Sequence, residues 1–189
     1  MPTQDRKHGA RAVKYLSGVP YNGSVRRFKK EASVILAAGD PVVLTGSAES
    51  DTGIALITRA QGTEGTPGTV TGFVVGIDPI RSDLSKTYLA AADTGYVLVA
   101  DEPNLLWSIQ ADGALAVTDI GEFCDLLVAN ADTDRGLSTT QLDASNAGTG
   151  DQMRLMEYAQ QPGFEVGDAF PEMITMINET TYRGVGTPI

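Results

Sequence analysis

Few side chains in this 189-residue chain are of the kind that do chemistry. There is one histidine, His8, and one cysteine, Cys124. A single imidazole excludes any mechanism or metal site that needs two, and a single thiol excludes an intrachain disulfide or an all-cysteine zinc site. A serine nucleophile needs a base, but His8 lies in the basic N-terminal segment and no Gly-x-Ser-x-Gly turn occurs. Cys124 stands between Phe123 and Asp125 in an apolar stretch, the setting of an inert buried thiol. Asp132-Thr133-Asp134 with Asp143 has part of the spacing of a calcium loop. However, Gly136 comes one position too early, and the last ligand is Asp rather than a bidentate Glu. A polar surface loop is the plainer reading, and a calcium-dependent β-barrel binding protein or enzyme is kept as an alternative. Asp101 and Glu102 are adjacent, so a strand would point them to opposite faces, and Pro103-Asn104 makes them turn residues. Asp119 and Asp125 read as turn and strand-edge acids. Gly62–Gly68 is glycine-rich but lacks the following Lys-Ser/Thr of a phosphate cradle, so it reads as a flexible hairpin loop. These residues predict no catalytic site, no cofactor and no metal, and they shift the expectation from an enzyme to a binding or structural protein.

The elements that position these residues are short. Apolar runs at Ser33–Leu36, Val42–Thr45, Ile54–Thr58, Thr69–Asp78, Tyr96–Ala100, Phe123–Ala129, Met153–Tyr158 and Met173–Ile177 are bounded by Gly, Pro, Asp and Asn. Leu105, Trp107 and Ile109 alternate with Ser108 and Gln110, the period of a half-buried strand, and this places Trp107 in the core. Phe73, Val75 and Ile77 are expected on one face. Most of these runs are rich in β-branched or aromatic residues or Thr. They predict a mainly β fold: an antiparallel β-barrel or sandwich of short strands with little helix and an extended N-terminal arm. Leu84–Leu89 with the alanines after it, and Asp112–Asp119, are the two places where the body could turn helical. Asn130–Asp151 reads as one long polar loop.

Hydrophobic residues make up 42% of the chain and charged residues 20%, enough for a real core. The net charge of −10 and a pI near 4.4 argue against nucleic-acid binding by the body. No apolar run approaches the roughly 18 residues of a membrane helix, and the charged start lacks the apolar stretch of a secretory signal. A soluble chain is expected, with no membrane partner. The charge is unevenly spread. Residues 1–30 carry eight basic side chains against Asp5, a net +7, whereas 31–189 carry a net −17. This divides the chain into a basic extended arm, 1–30, and an acidic β-rich body, 31–189, forming a single domain or two lobes. Gly9, Gly18, Pro20 and Asn22-Gly23 oppose a long helix in the arm, although a short amphipathic helix near Arg11–Leu16 is a local alternative. The arm reads either as a solvated terminus or as a strip lying on an acidic partner or sister subunit. In the second case Arg6, Lys7, Arg11, Lys14, Arg26, Arg27, Lys29 and Lys30 supply charge, and Tyr15, Tyr21 and Phe28 supply apolar anchors.

Tyr96-Val97-Leu98-Val99-Ala100-Asp101-Glu102-Pro103-Asn104-Leu105-Leu106-Trp107-Ser108-Ile109-Gln110 resembles a segment of the head decoration, or cement, proteins of tailed bacteriophages. Thr118-Asp119-Ile120-Gly121 followed by Cys124-Asp125-Leu126 is similar to the same family, as is Gly136–Asp143. Pro162–Ala169 and Met173–Asn178 are similar to its final strands, so the resemblance spans residues 70–180 in the family's order. It implies a mainly β, often trimeric protein on the outside of an icosahedral head, made in the bacterial host cytoplasm. Its partners would be the major capsid protein and neighbouring copies of itself, and it would hold capsomers together without catalysis. Another virion component, for head completion or in the tail, is the structural alternative.

Overall fold

The computed structural model describes residues 4–60, 69–81, 83–160, 162 and 165–183. The expected hairpin loop at Gly62–Gly68 lies outside them, as do Gly163 and Phe164 of the final motif. The fold is mainly β. Its strands in chain order are β1 (Arg11–Tyr15), β2 (Arg26–Lys30), β3 (Leu36–Ala37), β4 (Pro41–Ala48), β5 (Ala55–Arg59), β6 (Gly72–Ile77) and β7 (Tyr88–Leu89). They continue as β8 (Tyr96–Ala100), β9 (Leu105–Gln110), β10 (Phe123–Cys124), β11 (Leu126–Leu127), β12 (Gln141–Leu142), β13 (Met153–Tyr158) and β14 (Glu172–Ile177). Among the described residues, helix is confined to short 3₁₀ turns at Val117–Asp119, Ala144–Asn146 and Thr181–Arg183. The Leu84–Leu89 segment is not helical. It ends in β7, which pairs with β3.

Two hydrophobic cores divide the strands. One fills a closed barrel in the order β2-β5-β4-β6-β8, with Phe28, Val42, Ile57, Val74, Val97 and Val99 buried together. The other is built on a five-stranded antiparallel sheet ordered β1-β9-β14-β13-β10 and contains Leu105, Trp107, Ile109, Met153, Leu155 and Met173. The barrel is antiparallel except for β2, which runs parallel to β5 at Lys29↔Leu56 and Lys30↔Ile57 and antiparallel to β8. Strand β2 therefore closes the barrel, removing the unpaired edges that an open sheet would expose.

Strand β6 serves both cores because its register shifts between Val74 and Gly76. Without that irregularity, Phe73, Val75 and Ile77 would share a face. Instead Phe73 joins the sheet core, Val74 and Ile77 face the barrel core, and Val75 is 42% exposed. An extra residue in one strand moves every later side chain to the other face, which strict period-2 counting misses. Strand β9 departs from expectation in the other direction, since all six of its residues are buried. Ser108 donates to the Glu172 carboxylate, and Gln110 donates to the Gln4 carbonyl at 2.8 Å while accepting from the Arg6 amide at 2.7 Å. The N-terminal residues thus cover polar side chains of an interior strand.

The separate basic arm is not observed. Arg11–Tyr15 pairs with β9, from Arg11↔Ser108 to Tyr15↔Leu105, and Arg26–Lys30 is a barrel strand. The local helix option at Arg11–Leu16 is also replaced by strand β1. The physical reason is pairing: β9 and β8 each need an antiparallel neighbour, and burying Ala10 and Phe28 rewards the association. The Asn130–Asp151 loop is likewise more ordered than its composition suggested. It contains β12, paired with β11, and the 3₁₀ turn at Ala144–Asn146.

Candidate functional site

The residues singled out as a partner-binding strip separate into two groups. In β2 the charges are met from within the molecule. Arg26 pairs with Asp101 and Tyr182, Arg27 pairs with Asp78 at 2.7 Å, and Lys29 pairs with Glu49 at 2.9 Å. The Arg27 guanidinium lies 3.7 Å from the Tyr96 ring centroid, and the Lys29 amine lies 4.6 Å from it, so one ring faces two cations. Lys30 is buried and donates to the carbonyls of Glu31, Val34 and Ala91 at 2.9–3.3 Å. Burial holds its pKa below the usual lysine value. Phe28 is a barrel-core residue. These five residues therefore build the barrel.

Apart from buried His8, Gly9 and Ala10, residues 6–25 remain exposed or half-buried. Arg6, Lys7 and Arg11 are exposed, and Lys14 reaches Glu157 at 2.9 Å. Tyr15 and Tyr21 pack ring against ring at 6.4 Å, with Tyr15 donating to Asn22 and Tyr21 to the Ser24 carbonyl. The chain reverses after β1 so that the Tyr15 amide reaches the Val19 carbonyl at 2.8 Å and the Tyr21 amide reaches the Val13 carbonyl at 3.1 Å. Val13, Leu16, Val19 and Val25 are exposed on this turn. Arg135, from the loop before β12, donates to the Lys7 carbonyl at 3.2 Å and adds another cation nearby.

Beside this surface, a pocket of about 220 Å³ opens on the seam between barrel and sheet. His8, Arg11, Ala12, Tyr21, Val75 and Trp107 contribute to its lining. Gly39 also lines it and crosses Gly9 closely; both glycines have positive φ. The Ala10 amide donates to the Gly39 carbonyl at 3.1 Å, and a Cβ on Gly9 would lie 2.5 Å from that carbonyl oxygen. Only residues without side chains permit this crossing. Two buried polar atoms of the lining residues, His8 Nδ1 and Trp107 Nε1, have no hydrogen-bond partner. The other imidazole nitrogen, His8 Nε2, lies 3.8 Å from Glu172. Burial, and then Arg11, lower the His8 pKa, so the ring is neutral at pH 7 and the Glu172 contact is polar rather than ionic.

The remaining acids support loops. Asp125 is buried; it accepts from Asn146 Nδ2 at 2.9 Å and from the Asp151 amide at 2.8 Å, tying both ends of the 146–151 segment to β10 and β11. Asp132 accepts from the amides of Asp134 and Arg135, and Asp143 accepts from the Ser145 amide, so these carboxylates close their own turns. Among the described residues, no group of three or more His, Cys, Asp or Glu side chains is placed to hold a metal ion. The Cys124 thiol is buried, and burial pushes its pKa up, which disfavours a reactive thiolate.

Sequence reasoning missed several of these roles. Asp101 reads as a turn acid but is buried against Arg26, and Asp40 reads as turn punctuation yet is fully buried. In the sequence, Ala38-Gly39-Asp40-Pro41 was the only trace of the glycine crossing. Two partners of Glu49, Lys29 and Tyr96, come from distant strands and are invisible in the spacing around it. No family model matches this chain, and no curated protein or solved structure matches it either.

Proposed function

We propose that this chain is a capsid decoration protein that binds the outer surface of a tailed-phage head and stabilises contacts between major capsid protein capsomers, with copies of itself as neighbours. The sequence resemblance over residues 70–180 is the basis of this reading. The structural observation that supports it is the surface formed by residues 6–25. On a chain of net charge −10, this segment carries exposed Arg6, Lys7 and Arg11 together with exposed Val13, Leu16, Val19 and Val25. Apolar contact flanked by cations suits protein adhesion, in which burial gives affinity and charge gives partner choice.

The mechanism differs from that of a flexible leader. The adhesive surface is carried by β1 and its return turn, and β1 is bonded to β9 of the sheet. Little chain entropy is then lost when it docks, and the shell is braced by a body that closes its own barrel. Several copies engaging one head add their contacts through effective concentration, so each contact can be weak. The protein makes and breaks no covalent bond, and its acidic remainder keeps decorated particles apart.

The test is occupancy on purified undecorated heads. The variant Arg6→Glu/Lys7→Glu/Arg11→Glu, which changes only exposed side chains, is expected to lose binding and its salt sensitivity while retaining the wild-type circular dichroism spectrum. Binding equal to wild type would remove this surface from the proposal, and no binding by the wild-type protein would remove the capsid reading itself.

A further inference from the structure

The turn that follows β1 holds a reactive pair of residues as well as apolar side chains. Asn22-Gly23 is the one Asn-Gly pair in the chain, and each of the other four asparagines precedes a residue that has a Cβ. Asn22, Gly23 and Ser24 are exposed. Asn22 Oδ1 accepts from the Tyr15 hydroxyl at 3.0 Å and from the Ser24 amide at 3.2 Å. The Ser24 amide can only donate, which fixes the end of the Asn22 side chain that faces these groups. A bond from the second following amide folds the side chain back over the Gly23 peptide. Among the described residues, Asn22 Nδ2 and the Gly23 amide have no hydrogen-bond partner. Gly23 has φ of +83°, and a Cβ built there would meet nothing within 4 Å, so the turn leaves it open to water. Two donors thus polarise the Asn22 carbonyl, its amine end is free to depart, and an unshielded backbone nitrogen stands beside it.

We propose that Asn22 is a self-modification site, at which the Gly23 nitrogen displaces the side-chain amine through an oxyanion held by Tyr15 and Ser24. The Gly23 nitrogen gives its proton to solvent base and bonds to Asn22 Cγ. One electron pair of the Cγ–Oδ1 double bond moves onto Oδ1, where both donors meet the new charge. When the carbonyl re-forms, the Cγ–Nδ2 bond breaks, and Nδ2 takes a proton from water and leaves as ammonia. The product is a five-membered cyclic imide. Water then opens it, at the Cγ–N bond to leave aspartate or at the backbone carbonyl to leave isoaspartate, in which the chain runs through Cγ. One amide and one water become one carboxylate and one ammonium ion, so no oxidant or reductant is needed. Residues 15–25 otherwise contain no charged side chain, and the new carboxylate puts a negative charge on the turn between Lys14 and Arg26. The chemistry belongs to the turn and holds whatever partner the surface meets.

The experiment ages the full-length protein in mildly alkaline buffer and digests samples with trypsin. Cleavage after Lys14 and Arg26 isolates residues 15–26. Conversion is read there as the mass gain of OH replacing NH₂ and as two separable products, aspartate and isoaspartate. The reference is acetyl-Val-Pro-Tyr-Asn-Gly-Ser-Val-amide, the same local sequence without Tyr15. The protein is expected to convert at least as fast as the peptide. Tyr15→Phe, which keeps the ring that packs on Tyr21, should convert at least about fivefold more slowly, as loss of a hydrogen bond to a charged group would give. Tyr21→Phe loses only its bond to the Ser24 carbonyl and should convert at the wild-type rate, which separates an oxyanion donor from a general loosening of the turn. No conversion at Asn22, slower conversion than in the peptide, an unchanged rate in Tyr15→Phe, or equal slowing in both variants would each overturn the assignment.

Discussion

The Phe73 and Trp107 rings meet with 4.7 Å between centroids and an interplanar angle of 51°, and both are fully buried. Phe73 belongs to a barrel strand and Trp107 to β9 of the sheet, so this pair joins the two halves of the fold. The β8–β9 connection brings them together over only four residues, Asp101–Asn104. A barrel strand that sends Phe73 into the sheet core, with Val74 beside it in the barrel core, ties the two halves so that they should unfold as one.

Replacing Phe73 by Ala is therefore expected to destabilise the whole molecule by about 3–5 kcal/mol, the range for removing a buried phenylalanine. Urea unfolding followed by tryptophan fluorescence reports the sheet core, and far-UV circular dichroism reports both halves. The two curves should coincide before and after the substitution. Separate transitions would mean that the barrel and the sheet are independent domains.

Asp40 gives a pH dependence of unusual sign. It is fully buried, with Oδ2 accepting from the Ala37 amide at 2.8 Å and Oδ1 unpartnered. Burial raises its pKa from 3.8 to about 6, against partial offsets from Ser138, whose hydroxyl donates to Thr140, and from Ala37 and Arg59. Between these values the folded state holds a proton that the unfolded chain has released, so stability falls as pH rises from 3.8 to 6. The effect is on the order of 2–3 kcal/mol. Asp40→Asn should remove that slope from a series of denaturation curves across the window, and an unchanged slope would show that Asp40 ionises freely.

Glu49 behaves in the opposite way. Its carboxylate accepts from Thr52 and Tyr96, both at 2.6 Å, and pairs with Lys29 at 2.9 Å. The Thr52 hydroxyl, then Tyr96 and Lys29, hold its pKa at about 2. Its contribution to stability is complete above pH 4.5 and disappears as pH falls through about 2. In Tyr96→Phe one donor is lost, and the Glu49 carboxyl resonance should titrate at visibly higher pH. An unmoved midpoint would mean that the phenol does not contribute.

The parts of this fold legible in the sequence are those governed by local pattern. Tyr96–Ala100 and Met153–Tyr158 are strands at the bounds read from their apolar runs, and Trp107 and Cys124 are core residues. What was missed depends on distant partners. Strand β2 reads Arg-Arg-Phe-Lys-Lys, a charge run by composition, yet each of its cations meets a group supplied by another segment. Strand β1 pairs with residues 90 to 97 positions away. The Val75 irregularity and the seam pocket arise only when two sheets are placed against each other, and no spacing along the chain encodes that. The +7 of residues 1–30 was correct as a count and misleading as a domain boundary.

Truncation separates the two meanings of that boundary. Deleting residues 1–25 removes β1 and the cover over β9 but retains β2, so the barrel has all five strands. Deleting residues 1–30 also removes β2, leaving β5 and β8 without the neighbour that joins them, and it takes Phe28 out of the barrel core. Amide exchange at Val97 and Val99, both buried in that core, distinguishes the outcomes. The shorter deletion should preserve their protection, with lower overall stability and a tendency to associate through the uncovered β9 edge. The longer deletion should abolish it, because an opened five-strand barrel exposes two edges and loses its filling. Full protection in both would show that residues 26–30 are dispensable to the barrel, and the basic segment would then again be an appendage.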